Sequence, residues 1–73
     1  MKDTKITSWK HCYPTGGIMS KGFYNNSLEH GKWEYYYPNG NLIAKTNYQN
    51  GKPNGLEEKY NSSGIVFKIS YFI

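Results

Sequence analysis

Apolar and polar residues alternate along most of this chain in runs of five to nine, and the runs are separated by clusters of Gly, Pro, Asn and Ser. Alternation of period two, bounded by turn residues at 8–12-residue spacing, predicts an all-β chain. The runs predict six strands, at Ile6–Tyr13, Ile18–Tyr24, Lys32–Tyr37, Leu42–Tyr48, Leu56–Tyr60 and Ile65–Ile73. Between them fall two classes of connection. Tyr13-Pro14-Thr15-Gly16-Gly17, Tyr37-Pro38-Asn39-Gly40-Asn41 and Asn61-Ser62-Ser63-Gly64 are short turns. Asn-Gly tolerates positive φ, and Pro ends a strand by removing an amide donor. Residues 25–31 and 49–55 are read as longer connections, with Ser27-Leu28-Glu29-His30 amounting to no more than one turn. The expected fold is therefore a six-stranded antiparallel meander of stacked hairpins.

Superposed on the alternation is an internal period, the first thing to seek in a short chain. Set in rows of 24, residues 8–31, 32–55 and 56–73 form three repeats of a single domain covering 1–73. The first two rows share Trp9/Trp33, Tyr13/Tyr37, Pro14/Pro38, Gly16/Gly40, Tyr24/Tyr48, Asn26/Asn50 and Gly31/Gly55. A half-period shows as well: Tyr24, Tyr36, Tyr48, Tyr60 and Phe72 stand 12 apart, with Cys12 one step earlier. Read by parity, this even-numbered column occupies one face, together with Ile18, Leu42, Leu56 and Val66. Trp9, Tyr13, Met19, Phe23, Trp33, Tyr35, Tyr37, Ile43, Ile65, Phe67, Ile69 and Tyr71 occupy the other. A strongly twisted sheet would curl one face into a concave core. Cys12, in a tyrosine column, is expected to be a small core residue. The run Ile65–Ile73 is the most apolar and is expected at a sheet edge, a template for pairing with another chain.

Composition narrows the function. Hydrophobic residues make up 37% and aromatics 18%, with one Ala, three Leu, eight Tyr, three Phe and two Trp. That disfavours a helical bundle and a membrane span, and the aromatics disfavour disorder. Nine Lys and no Arg against five acids give a net charge of +4. Lysine attracts anions without the bidentate geometry of a guanidinium. One Cys allows no internal disulfide, and the N-terminal segment Met1-Lys2-Asp3-Thr4-Lys5-Ile6-Thr7-Ser8-Trp9-Lys10 carries no apolar export stretch, so a cytoplasmic location is expected. Usage rich in Lys, Asn, Ile and Tyr and poor in Ala and Arg points to AT-rich coding and a bacterial or phage origin.

Gly31-Lys32-Trp33-Glu34-Tyr35-Tyr36-Tyr37-Pro38-Asn39-Gly40-Asn41-Leu42, followed by Tyr48-Gln49-Asn50-Gly51-Lys52-Pro53-Asn54-Gly55, resembles the MORN repeat. More closely it is similar to the bacterial variant of the YwqK-type proteins, described as antitoxins of toxin–antitoxin pairs. The first row has Cys12 where the second Tyr would be, and the third has Glu57 in place of Trp, as terminal repeats of an array do. The resemblance implies a meandering antiparallel sheet and an interaction protein, not an enzyme.

Candidate chemistry agrees with that implication. His11 and Cys12 are sequence neighbours, so on a strand they point to opposite faces and form no nucleophile–base pair. Two His and one Cys without ligand spacing give no metal site, no cofactor is expected, and Glu57 and Glu58 point apart rather than forming an acid–base dyad. Trp9, Phe23, Trp33, Tyr35 and Tyr37 are the expected partner-binding surface, since Trp and Tyr are the usual interface anchors. Tyr35, with no Tyr in the equivalent places, is the ring expected to stand outside the structural ladder. Ile65, Phe67, Ile69 and Tyr71 are expected to support edge pairing, including a homodimer through the last strand. The leading expectation is a small inhibitor, antitoxin or immunity-type protein that blocks a toxin, effector or defence protein. The alternative is a binder of a nucleotide, lipid headgroup or single-stranded nucleic acid through Lys10, Lys21, Lys32 and Lys45 with exposed aromatics. Membrane attachment is disfavoured by the absence of an amphipathic helix or lipidation motif.

Overall fold

The computed structural model describes residues 5–73; the first four positions of the segment read for an export signal lie outside it. Six strands follow one another in space as in sequence: β1 (Ile6–Cys12), β2 (Ile18–Asn25), β3 (Leu28–Tyr36), β4 (Leu42–Gln49), β5 (Lys52–Tyr60) and β6 (Val66–Phe72). Every neighbouring pair is antiparallel, and the described residues contain no helix. The meander measures 46 × 31 × 10 Å, one layer thick. It does not curl into a closed core. Among the described residues only Gly22, Trp33, Ala44 and Thr46 are buried, all near the middle of the sheet.

Three turns are built alike, 24 residues apart. Gly16, Gly40 and Gly64 donate their amides to Tyr13, Tyr37 and Asn61, and each Gly has a positive φ. The next hydrogen bond closes the hairpin, from the amides of Tyr13, Tyr37 and Asn61 to the carbonyls of Gly17, Asn41 and Ile65. The other two connections are shorter than the sequence suggests. Instead of loops over residues 25–31 and 49–55, they are two-residue turns at Asn26-Ser27 and Asn50-Gly51. Both central residues of each have positive φ (51° and 75°, 53° and 81°), as a type I′ hairpin requires. Leu28–His30 and Lys52–Asn54 are therefore strand, and the glycines beyond them have another use. Gly31 and Gly55, at φ 73° and 86°, sit where the register of β3 against β2 and of β5 against β4 slips. They bend the strand at a bulge.

The registers also correct the assignment of faces. Opposed residues share a face, and Trp9 faces Gly22, Ser20 faces Tyr35, Tyr35 faces Ala44, Thr46 faces Glu57 and Glu57 faces Ser70. Each of these pairs joins an odd to an even number. One face is thus carried by odd positions on β1, β3 and β5 and by even positions on β2, β4 and β6. Tyr24 and Tyr48 accordingly lie with Trp9, Trp33 and Tyr35. Tyr36 and Tyr60 turn to the other face, bonded to Glu34 and Glu58. The 12-residue beat is a 24-residue period that changes face at each half-step.

Candidate functional site

The aromatic face is built around Trp33, 3% exposed. Its indole lies directly over Gly22: a Cβ there would meet Trp33 Cδ2 at 2.1 Å. The indole Nε1–H donates to the Phe23 carbonyl at 3.0 Å, fixing the ring across the strand. Tyr24 and Tyr48 meet it edge-on at 5.1 and 6.3 Å, and Tyr35 stacks on it at 6.3 Å. Tyr35 and Tyr48 share a hydroxyl–hydroxyl hydrogen bond of 3.2 Å. Burial, then that bond, pushes the Tyr35 phenol well above its ordinary range. Twenty-four residues further on, Thr46 in the second repeat takes the place of Gly22 and Glu57 in the third takes the place of Trp33. The Thr46 hydroxyl donates to Glu57 Oε2 at 2.8 Å, so a polar pair caps the ladder where an indole would strike a Cβ.

This geometry separates the five residues expected to bind a partner. Trp33 is interior. Tyr35 belongs to the ladder and does not stand outside it. Tyr37 is half-buried and donates its hydroxyl to the Tyr60 carbonyl at 3.0 Å, as Tyr13 does to Tyr36 at 2.6 Å. These three hold successive repeats together. Trp9 and Phe23 remain at the surface, 46% and 45% exposed, on opposite faces of the sheet. Cys12 is exposed, not in a core, because β1 is an edge strand of a sheet one layer thick. His11 stands near Trp9, ring centroids 6.3 Å apart. Gly22 and Thr46 do not stand out in the sequence pattern, whereas Tyr24 and Tyr48 do as members of the 12-residue column, outside the expected binding surface. The signal that marks Gly22 and Thr46 is the exchange of Gly/Trp for Thr/Glu at the same two repeat positions.

The opposite face is charged. A line of opposed residues runs across it: Lys10, Lys21, Glu34, Lys45, Glu58 and Ile69. Lys21–Glu34 and Lys45–Glu58 are ion pairs of 3.7 Å, 24 residues apart. Such half-exposed pairs contribute about 0–1 kcal/mol. Tyr36 and Tyr60 donate to the same glutamates at 3.2 and 2.9 Å. The Tyr36 phenol is raised chiefly by desolvation and then by Glu34; that of Tyr60 chiefly by its bond to Glu58. Lys10, Lys21 and Lys32 line one hollow of about 600 Å³ with Phe23 and Glu34, whereas Lys45 lines the next one along, with Lys32 and Glu58.

The third surface is the β6 edge. Phe67, Ile69 and Tyr71 are 64%, 60% and 73% exposed, and Ile65 62%. They come from the strand read as an edge, and the strand order places it there. Among the described residues no group of three His, Cys, Asp or Glu side chains is placed to hold a metal ion, and no helix is long and apolar enough to cross a membrane.

No curated protein and no solved structure matches the chain. Repeats of the MORN class are in general modules that engage proteins or membranes, which supports a partner of some kind. Residues 29–50, from β3 through β4 to the first residue of the Asn50-Gly51 turn, match the family model of the MORN repeat variant, a stretch that holds Trp33, Tyr35 and Tyr48 and stops short of Gly22 and Tyr24.

Proposed function

We propose that this protein is a non-enzymatic interaction module that takes up a strand of a partner protein on the edge of β6. The single observation carrying this reading is the apolar β6 edge, whose Phe67, Ile69 and Tyr71 are each at least 60% exposed. Edges of this kind are ordinarily shielded by charge, proline or a covering segment, and in β6 Lys68 is the one charged residue. Strand addition supplies main-chain hydrogen bonds, while side chains at alternate positions choose the partner. A stoichiometric inhibitor, antitoxin or immunity-type protein needs no more than this, since covering a partner's working surface requires contact area and no chemistry.

The test is capture from the native host with mass measurement of the complex, using the parent chain and Ile69→Lys. Ile69 is 60% exposed, so the substitution leaves the sheet folded. Loss of the captured protein in Ile69→Lys supports strand addition; undiminished capture refutes it.

A second occupant is favoured by one specific feature. In Val66-Phe67-Lys68-Ile69-Ser70-Tyr71-Phe72 the pattern of apolar and polar positions is symmetric about Ile69. A two-fold pairing of β6 with a second copy sets Phe67 against Tyr71 and Lys68 against Ser70, so no like charges meet. Edge pairing alone is a small interface, under about 1,200 Å², and gives a weak dimer. Ile69→Cys then crosslinks to itself under mild oxidation in a Cys12→Ser background, and Phe67→Cys alone does not. Crosslinking of neither, with a mass of 8.5 kDa at millimolar concentration, removes this occupant.

A further inference from the structure

We propose that the hollow bounded by Lys10, Lys21, Lys32 and Phe23 binds a small phosphate ester bearing a flat ring, of the nucleoside monophosphate kind. The register sets Lys10 directly opposite Lys21, an arrangement in which like charges face each other across a strand pair. Glu34 answers Lys21 at 3.7 Å. Lys10 and Lys32 have no carboxylate within ion-pair distance among the described residues. Three lysines thus surround a hollow of about 600 Å³ with one glutamate among them. That volume lies within the range of small-ligand sites, about 300–1,000 Å³. Phe23, 45% exposed, supplies an apolar wall on which a ring can stack.

The protein contains its own control. One repeat further on, the equivalent hollow is lined by Lys32, Lys45, Asn47, Leu56 and Glu58. There Lys45 stands between Glu34 and Glu58 in the register, so its charge is answered from both sides. Asn47 replaces Phe23, and Leu56 stands where Lys32 stands in the first hollow. The first hollow departs from the repeat at Lys10, Lys32 and Phe23 together. Those departures produce an unanswered positive charge beside an exposed ring. Sheet stability does not call for them, because one repeat further on the same positions are held by Glu34, Leu56 and Asn47. Lysines hold phosphate as point charges without a fixed fork, so the ring contact sets the ligand class.

The test is an NMR titration of the ¹⁵N-labelled full chain with AMP, adenosine and inorganic phosphate, each probe separately. AMP is expected to saturate shifts confined to residues 8–10, 21–23 and 32–34, and to bind at least about tenfold more tightly than either fragment, a difference of about 1.4 kcal/mol. Lys10→Glu lowers AMP affinity about tenfold or more. Phe23→Ala reduces AMP to the affinity of phosphate, and Lys45→Glu leaves it within about twofold. Lys10 and Phe23 are exposed, so both variants keep the fold, which circular dichroism verifies. Equal affinity for AMP and phosphate overturns the proposal. So does a loss in Lys45→Glu as large as in Lys10→Glu, which would mark a diffuse field. Binding to phosphatidylglycerol vesicles that AMP fails to displace also overturns it. Ile69→Lys, on another edge, leaves AMP binding unchanged, so this result and that of strand addition are separable.

Discussion

The packing of Trp33 on Gly22 yields a prediction with a change of sign. Gly22 has an ordinary backbone φ, so alanine is conformationally acceptable there. In isolation Gly→Ala at such a site stabilises by about 0.4–1 kcal/mol, through the unfolded chain. In this protein the new methyl would lie 2.1 Å from Trp33 Cδ2 and 2.3 Å from Cε2. The indole has to lift. It then gives up its hydrogen bond to the Phe23 carbonyl, worth about 1 kcal/mol. It also gives up much of its contact with Tyr24, Tyr35 and Tyr48, at about 0.5–1.5 kcal/mol for each aromatic pair. Gly22→Ala should therefore destabilise by about 2–4 kcal/mol. A chain of 73 residues has about 4–11 kcal/mol in all. In a Trp33→Ala background, itself costing about 3–5 kcal/mol, the same substitution should be neutral or stabilising. Urea unfolding followed by circular dichroism, with trimethylamine oxide present to keep the weak variants folded, gives all four corners of the cycle. Equal costs of Gly22→Ala in the two backgrounds would refute the account of the core given above.

Other expectations are smaller. Ser27 holds φ 75° at the place where its repeat partner Gly51 holds φ 81°. Ser27→Gly should add about 1 kcal/mol, raising the melting temperature by about 4–8 °C in calorimetry. Tyr37→Phe removes the hydroxyl that reaches the Tyr60 carbonyl and should cost about 1 kcal/mol in urea melts, whereas Tyr71→Phe, on the exposed edge, should cost nothing measurable. The Tyr35 phenol is raised in the folded protein. Its contribution is therefore whole below the ordinary phenol value near pH 10 and is lost as pH climbs past it, because the unfolded chain ionises first. Tyr35→Phe should flatten the fall in unfolding free energy between about pH 10 and 11.5, and an unchanged slope would refute that cause.

The chain's own pattern carried the architecture. Alternation, Asn-Gly and Pro-x-Gly punctuation and the 24-residue period together specify an all-β meander, because strand formation and turn chemistry are local. The apolar run Ile65–Ile73 was legible as a strand for the same reason, and the strand order sets it at an edge. The side each residue faces was not legible. It depends on the sum of two paired residue numbers, and a two-residue turn reverses the parity that a longer loop would have kept. The two-residue turn at Asn26-Ser27 thus brings Tyr24 to the tryptophan face, the bulge between Tyr35 and Tyr36 brings Tyr48 there, and Tyr36 and Tyr60 stay with the glutamates two residues before them. Exposure was equally a matter of tertiary structure. Trp9 and Trp33 occupy the same place in their repeats, yet one is 46% and the other 3% exposed. Trp33 has the bare glycine of the neighbouring β2 to lie on, and Trp9 lies on β1, at the edge of the described sheet.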